Sequence, residues 1–176
     1  MSAEAGPFTI AALLLVAGGV SKALAPGDTA NALRALGLPG PPVLVRVGGV
    51  AEAVIAAVAI ATADRVAVLL VAVSYLAFAG FVAIALRRGT PIATCGCFGK
   101  ADTPPSLMHL FVNLGAAVAA LAIAFNPGDG IGDVVAAQPL SGVPYLLLTF
   151  VGTYVAFLTL TLLPRTLALV RQSRDS

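Results

Sequence analysis

Residues 43–61 read VLVRVGGVAEAVIAAVAIA, an apolar segment whose only charges are Arg46 and Glu52. As a helix that rises about 1.5 Å per residue, it is long enough to cross a hydrocarbon core of about 30 Å. Arg46 stands one turn from the start, where its long side chain can extend to the membrane surface. Glu52 lies about 13 Å deep, near the bilayer midplane, and Gly48 and Gly49 before it allow another helix to approach closely.

The composition of the whole chain is that of a membrane protein. Of its 176 residues, 59% are hydrophobic and 10% are charged, and the mean hydropathy is +1.00. A soluble domain has about 25% charged residues. The net charge of +2 comes without a dense basic cluster, so nothing in the sequence favours nucleic acid as a partner. The expected surroundings are a lipid bilayer.

Four more apolar segments predict transmembrane helices, at residues 8–25, 66–86, 107–125 and 143–163. The first follows a stretch without Lys or Arg, which favours a retained helix over a cleaved signal peptide. Residues 28–38 predict a short amphipathic helix at the interface. The expected fold is therefore an all-α membrane protein with five transmembrane helices.

The basic residues are unevenly divided between the two sides of these five helices. Arg65 is alone on the side of the N-terminus. The other side carries nine, namely Lys22, Arg34, Arg46, Arg87, Arg88, Lys100, Arg165, Arg171 and Arg174. Because cytoplasmic loops are rich in Lys and Arg, we expect a multi-pass protein of the cell membrane with its N-terminus outside. The C-terminus and the loop at 87–105 are then cytoplasmic.

Both cysteines of the chain, Cys95 and Cys97, lie in that loop with Gly96 between them. Thiolates are strong nucleophiles and ligands of soft metals, and glycine lets the backbone bend between them. In thiol–disulfide exchange one cysteine attacks and the other resolves, and the sequence leaves both assignments open. The basic side chains of Arg88 and Lys100 favour the thiolate. The pair predicts a reversible disulfide or, alternatively, a metal site.

Five polar residues are expected to converge beneath this loop, because the helix ends that carry them lie on its side of the membrane. They are Lys22, Arg46, Glu52, His109 and Asn113. Ionisable residues inside a membrane are costly and indicate function by default. Lys22 is the expected partner of Glu52, with Arg46 as the second choice. The depths of Lys22 and Glu52 differ by about 9 Å, so the lysine must extend inward. Ser106 is expected to cap the helix that carries the last two residues.

Several short strings resemble one family of membrane proteins. They are GGVSK at 18–22, Glu52 in the second apolar segment, RRGTPI at 87–92, CGCFG at 95–99, and Asn113. Over residues 8–125 the chain resembles the methylamine utilisation protein MauE family, a relative of the DoxX-like membrane proteins. The resemblance implies a four-helix transmembrane bundle with a redox-active cysteine pair, in a family implicated in maturing the disulfide-rich small subunit of methylamine dehydrogenase.

The resemblance and the number of apolar segments together predict how the chain is divided. Residues 1–126 are expected to form the MauE/DoxX-like four-helix domain, with the Cys-Gly-Cys loop at 87–105. Residues 127–176 are expected to add a connecting loop, a fifth C-terminal transmembrane helix and a basic tail.

Three functions fit these residues. The leading hypothesis is a thiol–disulfide oxidoreductase of the membrane, or a redox-linked assembly factor, with Cys95 and Cys97 as its catalytic residues. It would exchange electrons with a quinone, or with a thioredoxin-like or disulfide-containing protein. The first alternative is a soft-metal-binding or transport protein that holds Cu(I), Zn or Hg(II) through Cys95, Cys97 and His109. The second is a structural membrane subunit whose cysteine bridge is inert.

Overall fold

The computed structural model describes residues 5–89, 104–126 and 139–174, with side chains at 144–162 in the last range. Within these ranges the chain forms six α-helices and no strand. They are α1 Ala5–Leu24, α2 Gly27–Ala35, α3 Pro42–Thr62, α4 Arg65–Arg88, α5 Leu107–Phe125 and α6 Pro139–Arg174. The predicted all-α class is confirmed for this part of the chain.

Five helices are long and apolar enough to cross a membrane. They are α1, α3, α4, α5 and, within α6, the stretch Pro144–Leu162. The number agrees with the prediction, and α5 occupies the predicted residues 107–125. The last helix continues through Pro164 to Arg174, beyond the expected end at 163, so this proline does not end it.

The short helix α2 ends three residues earlier than the sequence predicts. Gly37 adopts a φ of +76°, a left-handed conformation that is open to glycine. Its N–H donates to the Arg34 carbonyl at 2.9 Å, and the N–H of Leu38 donates to the Leu33 carbonyl at 3.0 Å. These two bonds form a Schellman motif, which closes the helix and satisfies its last carbonyl groups.

The long helices contact one another in a closed order. α1 packs along α3, α4 packs along α5, and further contacts join α3 to α4 and α1 to α5. α6 packs against α1, and α2 contacts α3. The core contains small and branched apolar side chains, among them Leu15, Ala56, Val68, Val71 and Ala117. α1, α3, α4 and α5 are thus each in contact with two of the others, and α6 contacts α1.

The outward surface of the helices is apolar as well. Along α3 the exposed side chains include Val43, Leu44, Val47, Val54 and Val58. Soluble proteins rarely expose so long an apolar surface, whereas a transmembrane helix presents one to lipid. The chain is therefore a multi-pass membrane protein whose helices contact the bilayer.

Two tyrosine hydroxyls connect other helices to backbone oxygens of α1. Tyr75 of α4 is buried, and its Oη donates to the Ala11 carbonyl at 2.5 Å. Tyr145 of α6 donates to the Ala5 carbonyl at 3.0 Å and lies 2.8 Å from Thr9 Oγ1. Tyr75 stands midway along α4, where the hydrocarbon core offers no water, so its hydroxyl needs a protein partner. These bonds fix α4 and α6 against the first helix.

α1 and α3 approach closely at a pair of glycines. A Cβ added to Gly19 would lie 2.5 Å from the Gly49 carbonyl oxygen, and one added to Gly49 would lie 2.6 Å from the Gly19 carbonyl oxygen. Side-chain carbons do not come that close to backbone oxygens, so both positions require glycine. Of the two glycines that the sequence indicates on α3, Gly49 makes this contact, whereas a Cβ on Gly48 meets no atom within 4 Å.

We expect Gly49→Val to separate α1 from α3, because the new side chain meets backbone atoms. Overpacking costs about 1–3 kcal/mol, so the thermal unfolding midpoint of the purified protein in detergent should fall. Gly48→Val adds the same side chain one residue away, in open space, and should leave the midpoint nearly unchanged. Equal midpoints for the two variants would contradict this helix crossing.

Candidate functional site

The glycine crossing brings the two deep charges together. Lys22 follows Gly19 by about one turn of α1, and Glu52 follows Gly49 by about one turn of α3. Lys22 Nζ donates a hydrogen bond to Glu52 Oε2 and forms an ion pair with it. The two side chains are 6% and 19% exposed. The predicted pairing of Glu52 with Lys22 is confirmed.

Lys22 reaches this partner by extending inward, as predicted. A Cβ added to Gly49 would lie 2.8 Å from Lys22 Cβ, so Lys22 is level with Gly49. Glu52 is then three residues, or about 4.5 Å, deeper. This is half the difference of about 9 Å that the sequence predicts. The predicted difference in depth is wrong because it assumes that α1 ends and α3 begins at the same depth.

The lysine ammonium also contacts an aromatic ring. Lys22 Nζ lies 4.2 Å from the ring centroid of Phe78. Phe78 packs edge-on against Tyr75, with centroids 6.1 Å apart and ring planes at 89°. The negative face of a ring attracts a cation, and more strongly where water is excluded. The carboxylate and the ring together replace the water that the lysine has lost.

The sequence does not identify Phe78 as part of this site. Its place three residues after Tyr75 puts both rings on one face of α4. The sequence of an apolar helix, however, does not show whether a phenylalanine contacts a buried cation or faces lipid. Phe111 of α5, which is 66% exposed, has the same kind of neighbours in sequence. The one indication in the sequence is that Tyr75 and Phe78 share the face of α4 that contacts Lys22.

α5 contributes a second polar group, made by a buried histidine and a buried asparagine. His109 and Asn113 are 2% and 7% exposed. His109 Nδ1 lies 2.8 Å from Ser106 Oγ, and Asn113 Nδ2 donates to the His109 carbonyl at 2.8 Å. Ser106 stands at the N-cap position, but its hydroxyl makes no capping hydrogen bond. The predicted cap is therefore wrong, and Ser106 orients the imidazole ring instead.

Lys22, His109 and Asn113 line one small cavity between α1, α4, α5 and α6. Its volume is about 30 Å³, enough for a water molecule. Aromatic side chains of α4 form one of its walls. Three of the five polar residues expected beneath the cysteine loop therefore face a common space, and Glu52 joins them through its ion pair.

Arg46 lies apart from this group. It is exposed on α3 and precedes Glu52 by six residues, which is about 120° around the helix at 3.6 residues per turn. An exposed arginine near the start of α3 can extend to the membrane surface. The structure thus brings Lys22, Glu52, His109 and Asn113 together and leaves the fifth expected member outside.

Cys95 and Cys97 lie outside the described residues, as does Lys100. Their disulfide, and the alternative metal site that adds His109, stay predictions. Within the described ranges, no three side chains of His, Cys, Asp or Glu are grouped to hold a metal ion.

The two ends of the cysteine loop are described, and both lie at the end of the helices that holds Lys22. α4 ends at Arg88, whose Nη1 donates to the Leu36 carbonyl at 2.8 Å. α5 begins at Leu107 and carries His109 in its first turn. Because His109 lines the cavity beside Lys22, the end of the loop that joins α5 lies next to the polar group. The end that leaves α4 follows Phe78 by ten residues, or about 15 Å along the helix.

The sequence comparisons point to one family. The model of the family described as methylamine utilisation protein MauE matches residues 2–126. This range includes α1 to α5 and the cysteine loop, and α6 lies beyond it. No curated protein and no solved structure matches the chain.

Removing one charge of the ion pair should destabilise the protein more than removing both. Glu52→Leu leaves the Lys22 ammonium buried without its carboxylate, which costs about 3–5 kcal/mol for a fully buried pair. The loss should be smaller here, since Glu52 is 19% exposed. The double variant Lys22→Met, Glu52→Leu removes both charges and keeps similar volumes, so it should recover most of the loss.

Thermal unfolding of the purified variants in detergent measures these differences. Lys22→Met alone is the matched single variant for the other partner. A double variant that unfolds at a lower temperature than both single variants would contradict the assigned pairing.

Proposed function

The chain belongs to the MauE family, and from this premise we propose that it is a thiol–disulfide redox protein of the membrane, or a redox-linked assembly factor, that acts through Cys95 and Cys97. The observation that carries the proposal is the buried charged group next to the start of α5, where the cysteine loop rejoins the helices. A structural subunit with an inert bridge has no need of Lys22, Glu52 and His109 there, because ionisable groups in a membrane are costly to keep.

The proposed exchange is a two-electron step between two pairs of sulfur atoms. One cysteine thiolate attacks a disulfide of the partner protein, forms a mixed disulfide and releases the first partner thiolate. The second cysteine thiolate attacks the mixed disulfide and releases the second. The pair ends as a Cys95–Cys97 disulfide and the partner as a dithiol, whose two protons replace those lost by the cysteines. The reverse sequence oxidises the partner and leaves the pair reduced.

A second partner restores the cysteine pair after each exchange. A thioredoxin-like protein does so by the same chemistry. After the reverse sequence, which leaves the pair reduced, a quinone can do so by accepting the two electrons and two protons of the dithiol, and it becomes a hydroquinone as the disulfide forms. We assign Lys22, Glu52, His109 and Asn113 a supporting role: a cation favours the thiolate, and a carboxylate or an imidazole can carry a proton.

The proposal includes the division of the chain and its partner. Residues 1–126 form a four-helix bundle with the Cys-Gly-Cys loop at 87–105, and residues 127–176 add the fifth helix and the basic tail. The family match ends at residue 126, and the helix contacts support this division. Since the family is described by methylamine utilisation, we propose a disulfide-containing protein of that process as the partner.

We expect the wild-type protein to form an intramolecular disulfide that a reductant reverses. The chain has two cysteines, so alkylation-shift gels of native membranes report on this pair alone. Oxidised wild type should carry no alkylated thiol and reduced wild type should carry two. Cys95→Ser and Cys97→Ser should each keep one reactive thiol and form no internal bridge. Disulfide-linked dimers in place of the bridge, or a pair that the reductant does not open, would overturn the proposal.

The charge distribution, nine basic residues against one, supports an external N-terminus and a cytoplasmic cysteine loop and C-terminus. A membrane-impermeant maleimide applied to intact cells should therefore leave reduced Cys95 and Cys97 unlabelled. Thr62→Cys in a Cys95→Ser, Cys97→Ser background is the control for the opposite side, at the end of α3, and should be labelled. The reverse pattern, with a cytosolic marker protein still unlabelled, would put the loop outside.

A further inference from the structure

A groove of about 440 Å³ opens between α2, α3 and α4, and the Lys22–Glu52 pair forms part of its wall. Sites for small molecules usually measure about 300–1,000 Å³ and are mostly apolar with a few polar groups. Here Leu38, Val45 and Ile84 are among the apolar residues. The ion pair supplies a strong donor and a strong acceptor. The groove thus has the size and the polarity of a ligand site.

Two glycines keep this groove open. Gly48 of α3 and Gly80 of α4 line it, and a Cβ added at either position meets no atom within 4 Å. Close packing of helices therefore does not require them, in contrast to Gly49. A glycine within a helix costs about 0.5–1 kcal/mol relative to alanine. The space that these two glycines leave in the groove explains why the helices contain them in spite of that cost.

The depth of the ion pair limits the chemistry of the ligand. Glu52 stands ten residues after Pro42, the first residue of α3, which is about 15 Å along the helix and near the middle of the hydrocarbon core. A phosphate or another charged head group is costly at that depth. An uncharged ring with carbonyl oxygens is not, and each oxygen can accept a hydrogen bond from an ammonium. Phe78 and Phe81 line the groove and can pack against such a ring.

We propose that this groove binds a membrane quinone. Lys22 Nζ has three N–H donors, so it can donate to a quinone carbonyl while it keeps its bond to Glu52. The Glu52 carboxylate accepts from the hydroxyl of the reduced form. The ring lies over the glycines, and the isoprenoid chain leaves toward lipid past Ile84, which is 42% exposed. The inference rests on the proposed function for the choice of a quinone, and the binding itself involves no electron transfer.

Fluorescence tests the groove directly, because the chain has no tryptophan. In a Cys95→Ser, Cys97→Ser background, Phe81→Trp puts one emitter in the groove wall, and Phe111→Trp puts one on the outside of α5, where Phe111 is 66% exposed. Decylubiquinone should quench Phe81→Trp with a saturable curve and Phe111→Trp with a linear one. Saturable quenching of both emitters, or of neither, overturns the proposal.

A pair of glycine variants then tests whether the groove itself is the site. In the Phe81→Trp protein, Gly80→Leu fills the groove and should weaken saturable binding about tenfold or more. Gly115→Leu adds the same side chain to a glycine of α5 that also has no neighbour within 4 Å of its Cβ and does not line the groove, and should leave binding unchanged. Circular dichroism checks that both variants keep their helices.

Saturable binding that Gly80→Leu leaves intact would overturn the proposal. A competition experiment in the Phe81→Trp protein adds a second test. A phospholipid that displaces decylubiquinone with equal potency would also overturn the proposal, because the groove would then be a lipid site. Quinone binding is measured without Cys95 and Cys97, whereas the disulfide is measured without quinone. Failure of the titration alone leaves thiol exchange with a protein partner, and failure of the disulfide assay alone leaves the quinone site.

Discussion

A charged side chain inside a membrane needs an opposite charge close by, and the positions of α1 and α3 satisfy this need. Lys22 and Glu52 meet where the two helix backbones come nearly into contact, which Gly19 and Gly49 permit by having no side chain. The other helices add to this pair. α4 covers the ammonium with the ring of Phe78, and α5 turns its polar face to the same lysine.

The ion pair specifies the register of the two helices more than it adds stability. Removing two charges from water is costly, and their attraction does little more than offset that cost. A shift of α1 along α3 by one turn, about 5.4 Å, would separate the charges and would also press side chains against backbone at Gly19 and Gly49. Both electrostatics and steric overlap therefore destabilise any other register of α1 along α3.

Each part of the structure that the sequence predicts has a local cause. The limits of α5 follow from apolar length, and the partner of Glu52 follows because few bases can reach a carboxylate at that depth. The relative depth of α1 and α3 depends on where they cross, and nothing in the sequence distinguishes Gly19 from Gly18 beside it. The Ser106 hydroxyl could bond either a backbone N–H of α5 or the His109 imidazole, and a capping pattern in the sequence does not show which partner it takes.

The groove was beyond prediction for a different reason. It exists because Gly48 and Gly80 lack side chains on two different helices, and a pattern read along one helix does not show that two such gaps face each other. The same limit applies to Phe78, whose role depends on a lysine that lies far away in sequence. Features made by pairs of helices need the helix packing before they can be recognised.

The fifth crossing decides whether the two ends of the chain lie on the same side of the membrane. Four crossings would return the polypeptide to the side on which it began, whereas α6 carries its end to the opposite side. In the proposed topology, the basic residues after the apolar part of α6, Arg165, Arg171 and Arg174, lie on the same side of the membrane as the cysteine loop. A redox partner of the proposed cysteine site would then approach it through the field of a cationic surface.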